Sequence, residues 1–191
     1  MNFKPYTKIA ALFILILAGS VHAQPRSNER ARLDQIEQTL KADVPRVLCL
    51  DSSFATGAQP TERAFSKMAA SGFRSYLSLR TATEGIDPER ERSVVEKNNL
   101  RYLNIPVVSS APRPEQADEF IRIVKEKSNH PMLIACASAN RVGAFMMIYR
   151  VVGQRWSERK ALEEADRIGL RSDTLKQFAQ AYIARRKAQR R

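Results

Sequence analysis

Apolar positions along this chain fall into two alternating rhythms. Short apolar runs at residues 47–50, 76–79, 102–108 and 131–135 have the length of strands. Between them, apolar residues recur every three or four positions, the spacing of a helix with one buried face. Leu33, Ile36 and Leu40 make such a face in the polar stretch 24–43, a short amphipathic helix or an ordered arm. Ala64, Phe65, Met68 and Ala69 make another after Thr61, a helix cap, and Gly72 suits its C′ position. Pro88 suits the first turn of the next helix, with Val94 and Val95 inward and Asn98-Asn99 at its end. Pro114 opens a further one, with Ala117, Phe120, Ile121 and Val124 inward. Three helical patterns follow, at 141–152, 157–168 and 172–186. Residues 52–60, with Gly57 and Pro60, read as a turn, and 81–87 as a loop. Pro106 lacks an N–H for a sheet ladder, so the third strand should become irregular or end near it.

Strands alternating with helices predict the α/β class, a central, mostly parallel sheet flanked by helices. Ligands of such sheets sit beyond the carboxyl ends of strands. The strand at 131–135 ends on Cys136, so chemistry and topology point to one place.

The first residues are expected to stand apart from the fold. Lys4 and Lys8 precede an unbroken apolar run at 9–18, and Val21-His22-Ala23 is a small-x-small cleavage site. This is the pattern of a secretory signal peptide at 1–23. Ten apolar residues are too few to cross a bilayer, which takes about 20. No transmembrane segment is expected after cleavage, and the location implied is periplasmic or secreted. An arm or helix at 24–45, a domain at 46–186 and a basic tail at 187–191 complete the expected organisation.

The formal charge is +12, and part of the excess sits at the end, in Arg185, Arg186, Lys187, Arg190 and Arg191. Such a tail is a solvated terminus or a contact for an anionic envelope surface. An exported protein seldom meets nucleic acid, which makes that partner unlikely. Once His22 leaves with the leader, one histidine and two cysteines remain: His130, Cys49 and Cys136. They cannot assemble a zinc site at the usual spacings, and nothing calls for another cofactor. His130 stands six residues before Cys136 on one strand, roughly 20 Å away at 3.3 Å per residue, too far for a Cys–His pair. Cys49 reads as core; the alternative is a Cys49–Cys136 disulfide.

Cys136-Ala137-Ser138-Ala139-Asn140-Arg141 has the layout of an anion cradle: strand, tight loop, helix start. Backbone N–H groups of the loop and the helix N-terminus would converge on one point. A cation is unfavourable at that end of a helix, so Arg141 there suggests an anion beside it. Ser138 and Asn140 also read as ordinary turn residues. Phe120, Met146, Met147 and Trp156 read as core packing.

Three stretches in order then resemble the dual-specificity and tyrosine phosphatase superfamily, in particular the small bacterial phosphatase-like domains found beside beta-lactamase-like hydrolases. They are Phe54-Ala-Thr-Gly-Ala-Gln-Pro-Thr61, Gly72-Phe-Arg-Ser-Tyr-Leu-Ser-Leu-Arg80 and Cys136-Ala-Ser-Ala-Asn-Arg-Val-Gly-Ala144. The resemblance implies that Cys136 is the nucleophile and that Arg141 binds two phosphate oxygens as a fork. Backbone N–H groups of Ala137, Ser138, Ala139, Asn140 and Arg141 would hold the other oxygens. The substrate would bear a phosphate or another anionic group.

The loop departs from the family pattern in several ways. Ala135 replaces a histidine, four residues separate Cys136 from Arg141 instead of five, Ala139 replaces a glycine, and Val142 replaces a serine or threonine. If position 139 needs φ > 0, alanine there costs about 1 kcal/mol. No carboxylate follows the third strand until Glu115 and Asp118; Asp87, in another loop, is a weaker choice of general acid, and the acid stays unassigned. The Cys-x4-Arg spacing also matches rhodaneses, which leaves sulfur transfer as an alternative. Anion binding without turnover is another.

Overall fold

The computed structural model describes residues 24–189, with side chains from residue 27 onward. The expected signal peptide at 1–23 and the last two residues of the basic tail lie outside the described residues. Among the described residues no helix is long and apolar enough to cross a membrane.

The chain runs α1 (Gln24–Leu40), β1 (Leu48–Cys49), β2 (Phe54–Gly57), α2 (Glu62–Ala70), β3 (Ser75–Ser78), α3 (Pro88–Lys97), β4 (Arg101–Asn104), α4 (Pro114–Lys125), β5 (Met132–Ala135), α5 (Asn140–Ile148), α6 (Glu158–Ile168) and α7 (Asp173–Ala188). A 3-10 turn, Ala82–Glu84, precedes α3, and a π-helical turn, Tyr149–Gly153, extends α5. The sheet order is β1-β2-β5-β3-β4, with every neighbour parallel except β1 against β2. This is the expected mostly parallel α/β sheet.

β5 lies at the centre, inserted between β2 and β3. Its four residues Met-Leu-Ile-Ala are all buried because both faces of the sheet are covered. Met132 and Ile134 face α4, α5, α6 and α7; Leu133 and Ala135 face α1, α2 and α3. Fully burying side chains of this size contributes about 1.5–3 kcal/mol each. The helix faces read from spacing are the buried ones: Ala64, Phe65 and Met68 in α2, Val95 in α3, and Ala117, Phe120, Ile121 and Val124 in α4. α5 has no polar face, and from Arg141 to Ile148 every residue is buried. It is the central helix, enclosed by α4, α6 and α7.

Three expectations need correction. Residues 52–60 contain a strand, β2, not only a turn. Gly57 and the small residues before it read as turn chemistry, but parallel pairing of Phe54–Gly57 with β5 satisfies that backbone. Gly57 is there because Val44 packs over it: a Cβ would come within 2.5 Å of Val44 Cγ1. Trp156 is half-buried and not in the core; it stacks under the charged groups of Arg150 at 4.6 Å and Lys160 at 3.6 Å. The expected strand at 102–108 is regular only to Asn104, short of Pro106. Thr61 does precede α2, but its hydroxyl donates to Asp43 Oδ1 at 2.9 Å and does not cap the helix.

Candidate active site

The carboxyl ends of β2, β5 and β3 are level, with Gly57, Ala135 and Ser78 paired across them. Cys136 follows directly and is 1% exposed. The chain then turns through Ala137 and Ser138, both exposed, to Ala139, which is buried and has φ +66°. The left-handed conformation expected if this position needed φ > 0 is therefore present, carried by an alanine. Asn140 starts α5, so the helix N-terminus faces back into the loop. Asn140 does more than fill a turn. Its Oδ1 accepts the backbone N–H groups of Arg171 (2.9 Å) and Ser172 (3.1 Å), fastening the α6–α7 connection beside the loop.

Arg141 is 2% exposed, a buried residue and not a solvated one at the helix start. Its Nη1 donates to Leu79 O (2.9 Å) and Val107 O (2.7 Å), carbonyls just beyond β3 and β4. Nη1 and Nη2 also donate to the two carboxylate oxygens of Glu84, each at 2.6 Å. A guanidinium has five N–H hydrogens. Nη1 spends both and Nη2 one on these acceptors, which leaves Nε–H and one Nη2 hydrogen for the cradle. Burial works to lower the Arg141 pKa, but the Glu84 carboxylate and the nearby Cys136 sulfur outweigh it, so the guanidinium holds its charge even more firmly than usual.

Glu84 was not visible from sequence as part of the site. It closes a capping box with Thr81, accepting the Thr81 N–H at 2.9 Å, and Arg80 lies 3.5 Å away on its other side. The Thr81-x-x-Glu84 spacing was the available signal, though it marks a turn and not a partner of Arg141. Hydrogen bonds from Arg141 lower the Glu84 pKa to about 2, against a smaller opposing effect of burial. Glu84 is thus ionised at neutral pH and has no proton to give.

Of the other candidate carboxylates among the described residues, two are committed elsewhere and one is free. Asp87 caps α3 through the N–H groups of Glu89 and Arg90. Asp118 accepts the Tyr182 hydroxyl and pairs with Arg186 at 3.3 Å, between α4 and α7. Glu115 is exposed in the first turn of α4. The loop after β4 is held by Gln116, which donates to Pro106 O and accepts from Arg113 N–H. It presents Val108, half exposed, at the rim.

The two cysteines are both free. Cys49 pairs with Ala55, which pairs with Leu133, so it sits two strands across and three residues below Cys136. At about 4.8 Å per strand and 3.3 Å per residue the separation is roughly 14 Å, beyond the roughly 4.4–6.8 Å Cα range of a disulfide. His130 precedes β5 at the opposite end of the strand, its Nε2 3.0 Å from Val124 O. Among the described residues no cluster of ligating side chains is suited to a metal ion.

Comparison with known proteins agrees with this geometry. The family model described as "DSP-PTPase phosphatase fused to NAD+ Kinase" matches residues 25–186. Solved structures are similar at low identity. A protein of the DUF442 group from Shewanella putrefaciens CN-32 is 18% identical, with a TM-score of 0.65 over 80% of this chain and 97% of its own. TpbA from P. aeruginosa, a cysteine-to-serine variant in complex with phosphotyrosine, is 20% identical, with a TM-score of 0.58 over 72% and 82%. The core catalytic domain of the PP-IP phosphatase SIW14 from S. cerevisiae, in complex with citrate, is 18% identical, with a TM-score of 0.62 over 73% and 87%. These identities speak for the fold. No curated protein sequence is similar enough to match the chain.

Proposed function

We propose, for a chain that belongs to the DSP-PTPase family of phosphatase domains fused to NAD+ kinase, that it is an exported, cysteine-dependent phosphatase acting on a phosphomonoester. The observation that carries this reading is the placing of Arg141. Glu84, Leu79 and Val107 hold its guanidinium from one side, and two hydrogens remain beside Cys136. Two parallel N–H donors match two oxygens of a phosphoryl group. The loop N–H groups of residues 137–141 and the α5 N-terminus would take the remaining charge. Fixed donors of this kind supply most of the catalysis in phosphoryl transfer. The Cys136 sulfur attacks phosphorus, the ester P–O bond breaks, and the leaving oxygen takes a proton from solvent. Water then displaces the sulfur, giving inorganic phosphate and regenerating the thiolate. Phosphotyrosine in TpbA and citrate in SIW14 support an anionic substrate.

A second reading has its own observation. Asp87, Asp118 and Glu84 are each held by other groups, and Glu115, in the first turn of α4, is exposed and unanchored, so no fixed carboxylate is set to protonate a leaving group. Such a site binds oxyanions and turns over only activated esters. Family membership speaks against the rhodanese-like alternative.

Hydrolysis of para-nitrophenyl phosphate by the reduced protein, with Cys136→Ser beside it, decides between the two. This ester has a good leaving group and needs no acid. Turnover lost in the variant supports the phosphatase. Phosphate that raises the melting temperature without any turnover supports the binding module, and neither effect sinks the cradle. Export rests on the pattern in residues 1–23, and a mature N-terminus at Gln24 in the secreted or periplasmic fraction is the expected result.

A further inference from the structure

Arg46 stands outside the loop 136–141, with its head in the neighbourhood of Ala139. It occupies the turn before β1 with φ +59°, a left-handed conformation unusual for a residue with a side chain. The base of that turn is fixed. Pro45 O accepts the Ala58 N–H at 2.7 Å, and Asp43 O accepts the Thr61 N–H at 2.8 Å. The Asp43 carboxylate is itself held by Lys67 at 2.6 Å and Arg63 at 3.2 Å. At the far end, the Arg46 guanidinium fills the space above Gly169. A Cβ built there would come within 2.9 Å of Arg46 Nη2 and 3.1 Å of its Nε, and within 3.3 Å of Ala139 Cβ. A glycine at 169 therefore admits the arginine against the crown of the cradle.

The head of Arg46 is lightly held. Among the described residues its hydrogen bond is a long one, from Nη2 to Ile168 O at 3.5 Å, and it pairs with no carboxylate. Arg141 and Arg150 contrast with it, each tied to a carboxylate at 2.6 Å. Arg46 is also exposed where they are buried. A guanidinium with a fixed root, an unneutralised charge and an oxyanion cradle at its side is preorganised to receive a second anion.

We propose that Arg46 is a specificity residue that selects ligands carrying a second phosphate beside the one held by the loop 136–141. This rests on reading that loop as the phosphate cradle. Arg141 and the loop N–H groups take the first phosphate; Arg46, on the outer wall near Ala139, takes the second. A simple monoester engages only the first.

Calorimetric titration of the Cys136→Ser protein tests this without relying on turnover. The ligands are orthophosphate and inorganic tripolyphosphate, in metal-free buffer. Tripolyphosphate is expected to bind at least about tenfold more tightly, the worth of one added charge-assisted hydrogen bond. R46Q in the same background should bring the ratio to within about twofold, and R46K should restore part of it, since a point charge lacks the fork. R159Q removes the same charge from an exposed position in α6 and should leave the ratio nearly unchanged. Equal losses in R46Q and R159Q, or no preference for tripolyphosphate, overturn the assignment while leaving the cradle standing. Failure of orthophosphate itself to bind removes the cradle, and this inference with it.

Discussion

Arg141 and Glu84, 57 positions apart, meet as a two-pronged ion pair with both N–O distances at 2.6 Å. The pair fixes the plane of the guanidinium, and the carbonyls of Leu79 and Val107 fix its rotation. Anion binding by a fork depends on that plane. Glu84→Ala leaves a buried cation with two carbonyl partners and without its carboxylate. Removing one partner of a fully buried pair costs about 3–5 kcal/mol; Glu84 is partly solvated, so a loss of about 2–3 kcal/mol is expected in chemical denaturation. Turnover of an activated phosphate ester should fall by about 10- to 100-fold, through kcat more than KM, because a tilted guanidinium loses contacts made in the transition state. Unchanged turnover in a folded variant would show that Glu84 does not position Arg141.

The same pair predicts an acid limit. Arg141 lowers the Glu84 pKa from 4.5 to about 2. In the unfolded chain Glu84 therefore binds its proton at higher pH than in the folded one. Its contribution to stability is complete above about pH 4.5 and fades as pH falls toward 2. The stability difference between the protein and Glu84→Gln should be constant from pH 7 to about 5 and shrink below that. A difference that shrinks between pH 8 and 6 would mean another group is titrating.

Much of this arrangement was legible from residue spacing. The inward faces of α2, α3 and α4 follow from a period of three to four, and the position of Cys136 follows from one buried strand followed by small residues. What was hidden depends on contacts between distant segments. β2 carries Ala55 and Gly57, which lack a strand's usual composition, and its place between β1 and β5 makes it one. Glu84 lies in the stretch 81–87, which reads only as a loop, because no sequence pattern shows that its carboxylate reaches across to α5. Arg46 was one basic residue among many. Its meaning comes from Gly169, 123 positions later, whose missing side chain leaves room for it. Helix faces are local and periodic; the partners of a buried charge are neither.

Gly143 sets how closely α6 approaches the helix that carries the cradle. A Cβ at this position would lie 2.8 Å from Ala165 O, 2.9 Å from Leu170 Cβ and 3.0 Å from Leu170 N. Two of these are backbone atoms and cannot rotate away. Gly143→Ala should therefore destabilise by about 1–3 kcal/mol as overpacking does, against a gain of under about 1 kcal/mol in helix propensity. The melting temperature should fall by several degrees, about 2–4 °C per kcal/mol for a chain of this size. The push falls on Leu170, next to the Arg171 N–H that Asn140 holds, so weaker phosphate binding should accompany it. A Gly143→Ala protein as stable as the parent would mean that α6 moves away freely.

Cys49 tests whether the two thiols are independent. Burial, and then the Glu37 carboxylate near it, raise its pKa from 9.0 to about 12. It is 2% exposed, so it stays a protonated, inaccessible thiol at pH 8. Iodoacetamide at that pH should leave Cys49 unmodified in the folded protein, read by peptide mass after quenching. The raised pKa also has a sign. The folded chain keeps the proton where the unfolded chain has lost it, so this contribution is complete below about pH 9 and disappears as pH rises toward 12. Cys49→Ala should lose about 1 kcal/mol from the small cavity at neutral pH and show a flatter decline in stability above pH 9. Its turnover should match the parent's, because Cys49 faces α1 and α2 on the side of the sheet away from α5. A large loss of activity in Cys49→Ala at full stability would contradict that separation and bring the second cysteine into the chemistry.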